Sequence, residues 1–243
     1  MEKIMAQLDL PASLEGRFSD IAKLVEFVQQ KMGKHDPSHN PQHVFRVTRL
    51  AHKLLRMERS RANAHSVSKE TDVVHYDDLT VTLSALLHDI ADHKYTEPGV
   101  DPERYVYAVL TAHGYDEKLS EKVQTIVSNV SFSREKKNPG KAQELIDNGF
   151  PELAIVQDSD RIDAIGAVGV GRCFTYLGAK RSNEQEGRWD LDMAIEHFVE
   201  KLETLKDMMK TQSGRDLAVV RTERLKEFRS WWTEETGFDA TLC

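Results

Sequence analysis

LSALLHDIADHKY, residues 83–95, runs an apolar segment straight into His88-Asp89 and then offers Asp92, His93 and Lys94. Traced back to Asp77-Asp78, the same segment spaces Leu79, Leu83, Leu86, Leu87 and Ile90 in steps that fall on one face of a helix. The pattern predicts a core helix that delivers ionisable side chains at its C-terminal end.

The flanking sequence repeats that period. Ile21, Leu24, Val25, Val28 and Met32 predict a helix that stops at Gly33. Asn40-Pro41 reads as an N-cap followed by proline in the first turn, and Val44, Val47, Leu50, Ala51, Leu54 and Leu55 carry that helix onward with His43 near its start. Residues 59–76, RSRANAHSVSKETDVVHY, are polar without period and predict a surface insertion. Helices are expected over 102–113 and 117–130, then a turn-rich loop, SFSREKKNPGK, whose basic residues suit a solvated loop, a phosphate clamp or a lid. From Pro151 a further helix sets Leu153, Val156, Asp160 and Ala164 on one stripe. Leu191, Ala194, Ile195, Phe198, Leu202 and Leu205 predict another, and Leu217, Val220, Leu225, Phe228, Trp231 and Trp232 approximate a last one. With no strand pair, hairpin turn or internal repeat, the expectation is an all-α single domain spanning 1–243. Its core is placed at about 20–205, with 59–76 as the insertion and 206–243 as a C-terminal helical extension.

Composition bounds the function. Hydrophobic residues at 40% and charged residues at 30% describe a globular chain, and a net charge of −7 with pI near 5.8 argues against general binding to nucleic acid or an anionic membrane. Cys173 and Cys243 cannot form a disulfide framework, and no segment has the apolar core of a secretion signal or the roughly 20 apolar residues of a membrane span. An intracellular, cytoplasmic protein is expected, with a homodimer left open.

Asp160 on an apolar stripe needs a partner, because a lone buried carboxylate costs several kcal/mol. The other helices supply His43 and the pair His88-Asp89. Two imidazoles and two carboxylates from three helices suit one divalent cation among Mn²⁺, Fe²⁺, Co²⁺, Ni²⁺, Mg²⁺ and Zn²⁺. Each histidine alone is more readily read as an ordinary core or surface residue than as a ligand; the constellation carries the reading.

In the order HNPQHVFRV, LSALLHDIAD and IVQDSDRIDAIGA, the chain resembles the HD superfamily of metal-dependent phosphohydrolases, whose pattern is H…HD…D on a helical core. The resemblance covers about residues 20–205 and is closest to a small intracellular branch that includes bacterial nucleoside triphosphate pyrophosphohydrolases. It implies a single HD-domain helical bundle and His43, His88, Asp89 and Asp160 as metal ligands, Mn²⁺ favoured. It also implies Asp92 as a general acid or base and Lys94 as a neutraliser of phosphate charge. His39 and Asn40 stand where they reach substrate or support the ligands, Asn40 equally as a cap. Arg46 faces phosphate or solvent, Asp163 pairs with Arg46 or meets a sugar hydroxyl, and Arg172 lies within reach of phosphate. Arg161, on another face, reads as structural.

The implied activity is hydrolysis of a small phosphate ester or anhydride, foremost a nucleoside triphosphate to monophosphate and pyrophosphate. The alternatives are a nucleotide or sugar phosphate monoesterase and a catalytically inert metal- or nucleotide-binding module. A signalling-nucleotide hydrolase or a di-iron oxygenase calls for further acids or histidines that the chain does not display. GAVGVGR, 166–172, is not read as a phosphate loop, since no strand precedes it and no Lys-Ser/Thr follows; small residues for close helix packing explain it. His35, His52, His65, His75, His93, His113 and His197 are not expected to be ligands.

Overall fold

The structure, a computed structural model, describes residues 1–65, 74–90, 101–181 and 190–242. Among them the helices are α1 (Glu2–Leu8), α2 (Phe18–Met32), α3 (Pro41–His65), α4 (Asp78–Leu87), α5 (Pro102–Ala112), α6 (Glu117–Ser128), α7 (Phe132–Lys137), α8 (Lys141–Asp147), α9 (Glu152–Asp163), α10 (Gly166–Arg181), α11 (Asp192–Glu200) and α12 (Gln212–Thr236). Short 3-10 segments at Ala12–Arg17 and Leu202–Met208 complete the described order, which contains no strand. None of the described helices is long and apolar enough to cross a membrane.

The helix starts follow local chemistry. Asn40 Oδ1 accepts from the Gln42 amide at 3.0 Å with Pro41 opening α3. Asp77, Asp101 and Asp116 cap α4, α5 and α6 by accepting from the amides of Thr80, Glu103 and Leu119. Each cap satisfies an amide that the first helical turn leaves without a partner.

α4 sits in the middle. Every residue from Thr80 to His88 is buried, so the helix is enclosed on all sides and not on one face alone. Its Leu83, Leu86 and Leu87 join Leu8, Ile21, Leu24, Val28, Val44, Val106 and Leu110 in one core cluster. Its Val81 and Ala85 join Val47, Leu54, Ile126, Leu153, Ile155, Phe198 and Leu225 in the other. Both ends of the chain therefore feed the core: Leu8 and Leu14 precede the expected limit at 20, and Ala218 and Leu225 of α12 lie beyond 205.

Several expected boundaries move. Residues 59–65 of the anticipated insertion continue α3, because Arg59 reaches Asp78 and the Tyr76 carbonyl while Arg61 reaches Ser213 and Asp216; residues 66–73 lie outside the described residues. The basic loop after Val130 contains α7, whose Glu135 is anchored by Arg161 and Lys210. The helix expected across 191–205 ends at Glu200, and the chain turns at Lys201 into a 3-10 segment. On α12, Val220 and Trp231 are exposed and fall off the apolar stripe. Gly166 to Arg172 open α10, and a Cβ on Gly169 would lie 2.3 Å from the Ala164 carbonyl oxygen, so close helix packing accounts for that glycine.

Candidate metal centre

α3, α4 and α9 pack against one another and converge at one end. His43 lies in the first turn of α3, His88 caps the C-terminus of α4 with Asp89 next, and Asp160 is in the last turn of α9. His43 and His88 are buried, whereas the side chains of Asp89 and Asp160 are 20% and 28% exposed. Asp160 is thus at the boundary between core and solvent.

Hydrogen bonds fix both rings. His88 Nδ1–H donates to the Ala85 carbonyl at 2.9 Å, and His43 Nδ1–H donates to Asp163 Oδ2 at 2.8 Å. When both rings are neutral, each Nε2 bears a lone pair, yet these two atoms are 3.2 Å apart. Asp89 Oδ2 lies 3.2 Å from His43 Nε2 and 3.5 Å from His88 Nε2, and Asp160 Oδ1 lies 3.4 and 3.8 Å from them. Donor atoms of His43, His88 and Asp160 fall within 4.8 Å of one another.

Lone pairs and anionic oxygens this close require a positive charge among them. Metal–ligand distances of about 2.0–2.2 Å imply ligand–ligand edges from about 3.0 Å in an octahedron to about 3.5 Å in a tetrahedron, so the donor set fits a divalent cation. Without one, a proton serves. Burial and Arg172 favour a neutral His43, but the hydrogen bonds to Asp163 and Asp89 outweigh them and raise its pKa. Burial likewise opposes ionisation of Asp89, yet the facing His88 and His43 hold its carboxyl well below the ordinary range.

Asp163 organises the layer behind His43. Arg46 makes a two-pronged contact with it, Nε to Oδ1 and Nη2 to Oδ2, both 2.9 Å, and Arg172 Nη1 donates to Oδ2 at 3.2 Å. Burial would raise its pKa, but His43 and Arg46 hold the carboxyl below its usual range. Asp163 is therefore the pairing partner of Arg46 and also the orienter of His43. Arg172 additionally donates to the Ser38 carbonyl at 2.8 Å, fixing the turn before α3. Within that turn Ser38 links the Asp36 carboxylate to His39 Nδ1, the latter at 2.6 Å, and the His39 ring centroid lies 6.1 Å from that of His43. Arg161 is buried against Glu135 and the Met208 carbonyl, away from the donors.

A cleft of about 460 Å³ opens onto the donors and onto His39 and Arg172. Its outer wall comes from Phe132 and Arg134 of the basic segment at 131–141, and from Glu103, Ser128 and Lys201, which the sequence did not single out. No periodicity or motif in the sequence pointed to those three. Asp92 and Lys94 lie outside the described residues.

Comparison with known proteins gives a consistent result. The HD domain family model matches residues 42–165, which include His43, His88, Asp89 and Asp160. YpgQ of Bacillus subtilis (strain 168) is 34% identical over 196 residues, covering 77% of this chain and 91% of YpgQ. The crystal structure of Bacillus subtilis YpgQ in complex with ADP aligns with a TM-score of 0.65 at 28% identity, over 89% of this chain and 97% of that one. An HD-superfamily hydrolase from Bacillus thuringiensis aligns with a TM-score of 0.62 at 27% identity, over 91% and 98%.

Proposed function

Because the chain belongs to the HD domain family, we propose that it is a divalent-metal-dependent phosphohydrolase that cleaves nucleoside triphosphates to monophosphates and pyrophosphate. The observation that carries the reading is the pair of imidazole Nε2 atoms 3.2 Å apart, bordered by Asp89 and Asp160 at the foot of an open cleft. Support for a nucleotide comes from the ADP complex of YpgQ. Mn²⁺ is the favoured cation.

When bound, such a cation supplies Lewis acidity toward water and a phosphoryl oxygen. The remaining work belongs to the chain. His43 and His88 would hold the cation through Nε2, because Asp163 and the Ala85 carbonyl fix the Nδ1 protons. Asp89 and Asp160 offset its charge. Arg172 borders the cleft and aligns the phosphoryl group, with Arg46 bracing Asp163 beneath and His39 contacting substrate. Asp92 exchanges a proton with the attacking water or the leaving oxygen, and Lys94 neutralises phosphate charge.

The test is product analysis after metal-stripped protein meets a nucleotide panel with and without Mn²⁺, beside Asp89→Ala. Mn²⁺-dependent monophosphate and pyrophosphate, lost in Asp89→Ala, is the expected result. Phosphate with a nucleoside would replace this reading by a monoesterase, and a folded, metal-loaded protein that turns over no phosphate compound would replace it by a binding module.

A further inference from the structure

Arg134 of α7 and Glu103 in the first turn of α5 meet in the wall of the cleft that holds the four donors. Both terminal nitrogens of the guanidinium donate to the carboxylate, Nη2 to Oε1 at 2.5 Å and Nη1 to Oε2 at 3.3 Å. The two side chains are 47% and 57% exposed, against 20% and 28% for Asp89 and Asp160, so the pair stands at the solvent end of the cleft and the donors at the inner end. Arg134 also borders a neighbouring hollow of about 300 Å³, which gives its side chain room to swing.

A carboxylate at the mouth of a cleft that admits phosphates is a misfit on its own, because it repels the anion that must pass it. Paired with Arg134 it is neutralised, but the guanidinium is then occupied as well. Exchange of partners resolves the conflict. An ion pair this exposed is held weakly, since water and salt screen both charges, whereas a phosphate brings more negative charge and accepts the same two-pronged contact. Glu103 is not stranded when the guanidinium leaves: more than half of its side chain is already in water, and the positive end of α5 favours an anion in the first turn. Resting on the reading above, we propose that Arg134 passes from Glu103 to the phosphate chain of an entering polyphosphorylated nucleotide, with Glu103 as its built-in competitor, so that the mouth selects a phosphate chain over a single phosphate. If the pair only tied α5 to α7, removing either partner would lose the same contact and act in the same direction. Exchange gives opposite signs.

Calorimetric titration of the Mn²⁺-loaded protein with α,β-methylene ATP and with AMP reads those signs without turnover. Arg134→Gln should weaken α,β-methylene ATP about tenfold, as expected for one lost charged contact, and Glu103→Gln should tighten it about threefold, the scale of an exposed ion pair. AMP should change less than about twofold in both. In the Arg134→Gln background the gain from Glu103→Gln should vanish, and Arg134→Lys, which keeps the charge without the fork, should recover only part of the loss. Weaker binding in both single variants, no change in either, equal shifts for AMP, or a Glu103→Gln gain that persists without Arg134 would each overturn the proposal. Any of these in a wild-type protein that cleaves nucleotides would sink this inference alone. Opposite signs in a protein that cleaves no nucleotide would sink the hydrolase reading and leave this one standing; no binding of α,β-methylene ATP by the wild type would remove both.

Discussion

Asp163 shows how much one carboxylate can decide. It accepts from His43, Arg46 and Arg172 at once, so its loss would free the His43 ring and leave two guanidiniums without their shared counter-ion. Asp163→Asn is expected to weaken Mn²⁺ binding about 10- to 100-fold, in the range seen when the groups behind metal ligands are removed, and calorimetric titration of the metal reads this directly. His52 is the contrasting residue. Buried between α1 and α4, it meets the Leu8 carbonyl at 2.8 Å and Thr82 Oγ1 at 2.9 Å, and burial lowers its pKa from 6.5. The unfolded chain therefore takes up a proton below about pH 6.5 that the folded chain refuses, so stability falls as the pH drops, by up to about 1.4 kcal/mol per unit. Urea unfolding across pH 5–8 should show this slope, and His52→Gln should flatten it. The four candidate ligand positions stood out in the sequence because each lies where a helix begins, ends or turns from core to solvent. The pairing of Asp163 with His43 and Arg172 did not, since no local pattern records which side chains of α3 and α10 meet the end of α9.

Helix starts were readable and helix ends were less so. Asn40-Pro41, Asp77, Asp101-Pro102 and Asp116 announce their elements locally, whereas the last turns of α3 depend on Asp78, Ser213 and Asp216, up to 155 residues away. α7 is a similar case: six residues cannot hold a helix alone, and Glu135 ties it to Arg161 and Lys210. The small residues opening α10 serve its junction with α9. A methyl group on Gly169 would strike the Ala164 carbonyl, a backbone atom that cannot swing aside, and Ala164 borders the cleft. Gly169→Ala should cost about 1–3 kcal/mol, the usual penalty of overpacking, visible as a lower midpoint in urea. An unchanged midpoint would mean the junction yields more easily than its geometry implies.

At the scale of the whole molecule, the all-α character followed from period alone, but the distribution of the core did not. Leu8 and Leu225 sit at opposite ends of the chain and both are fully buried, a result of long-range packing that no local pattern encodes. α4 forms the wall shared by the two core clusters and ends in His88, so the candidate metal centre is rooted in the most enclosed part of the fold. α7 is attached differently: it stands at the cleft's outer wall with Phe132 and Arg134, and Glu135 is its polar anchor to α9 and the Lys210 segment. The consequence concerns descent. Substitutions of Phe132 or Arg134 that keep the Glu135 anchor can alter which molecule enters the cleft without disturbing α3, α4 or α9, so what enters the cleft and what the donors beneath it do are free to diverge at different rates along a lineage.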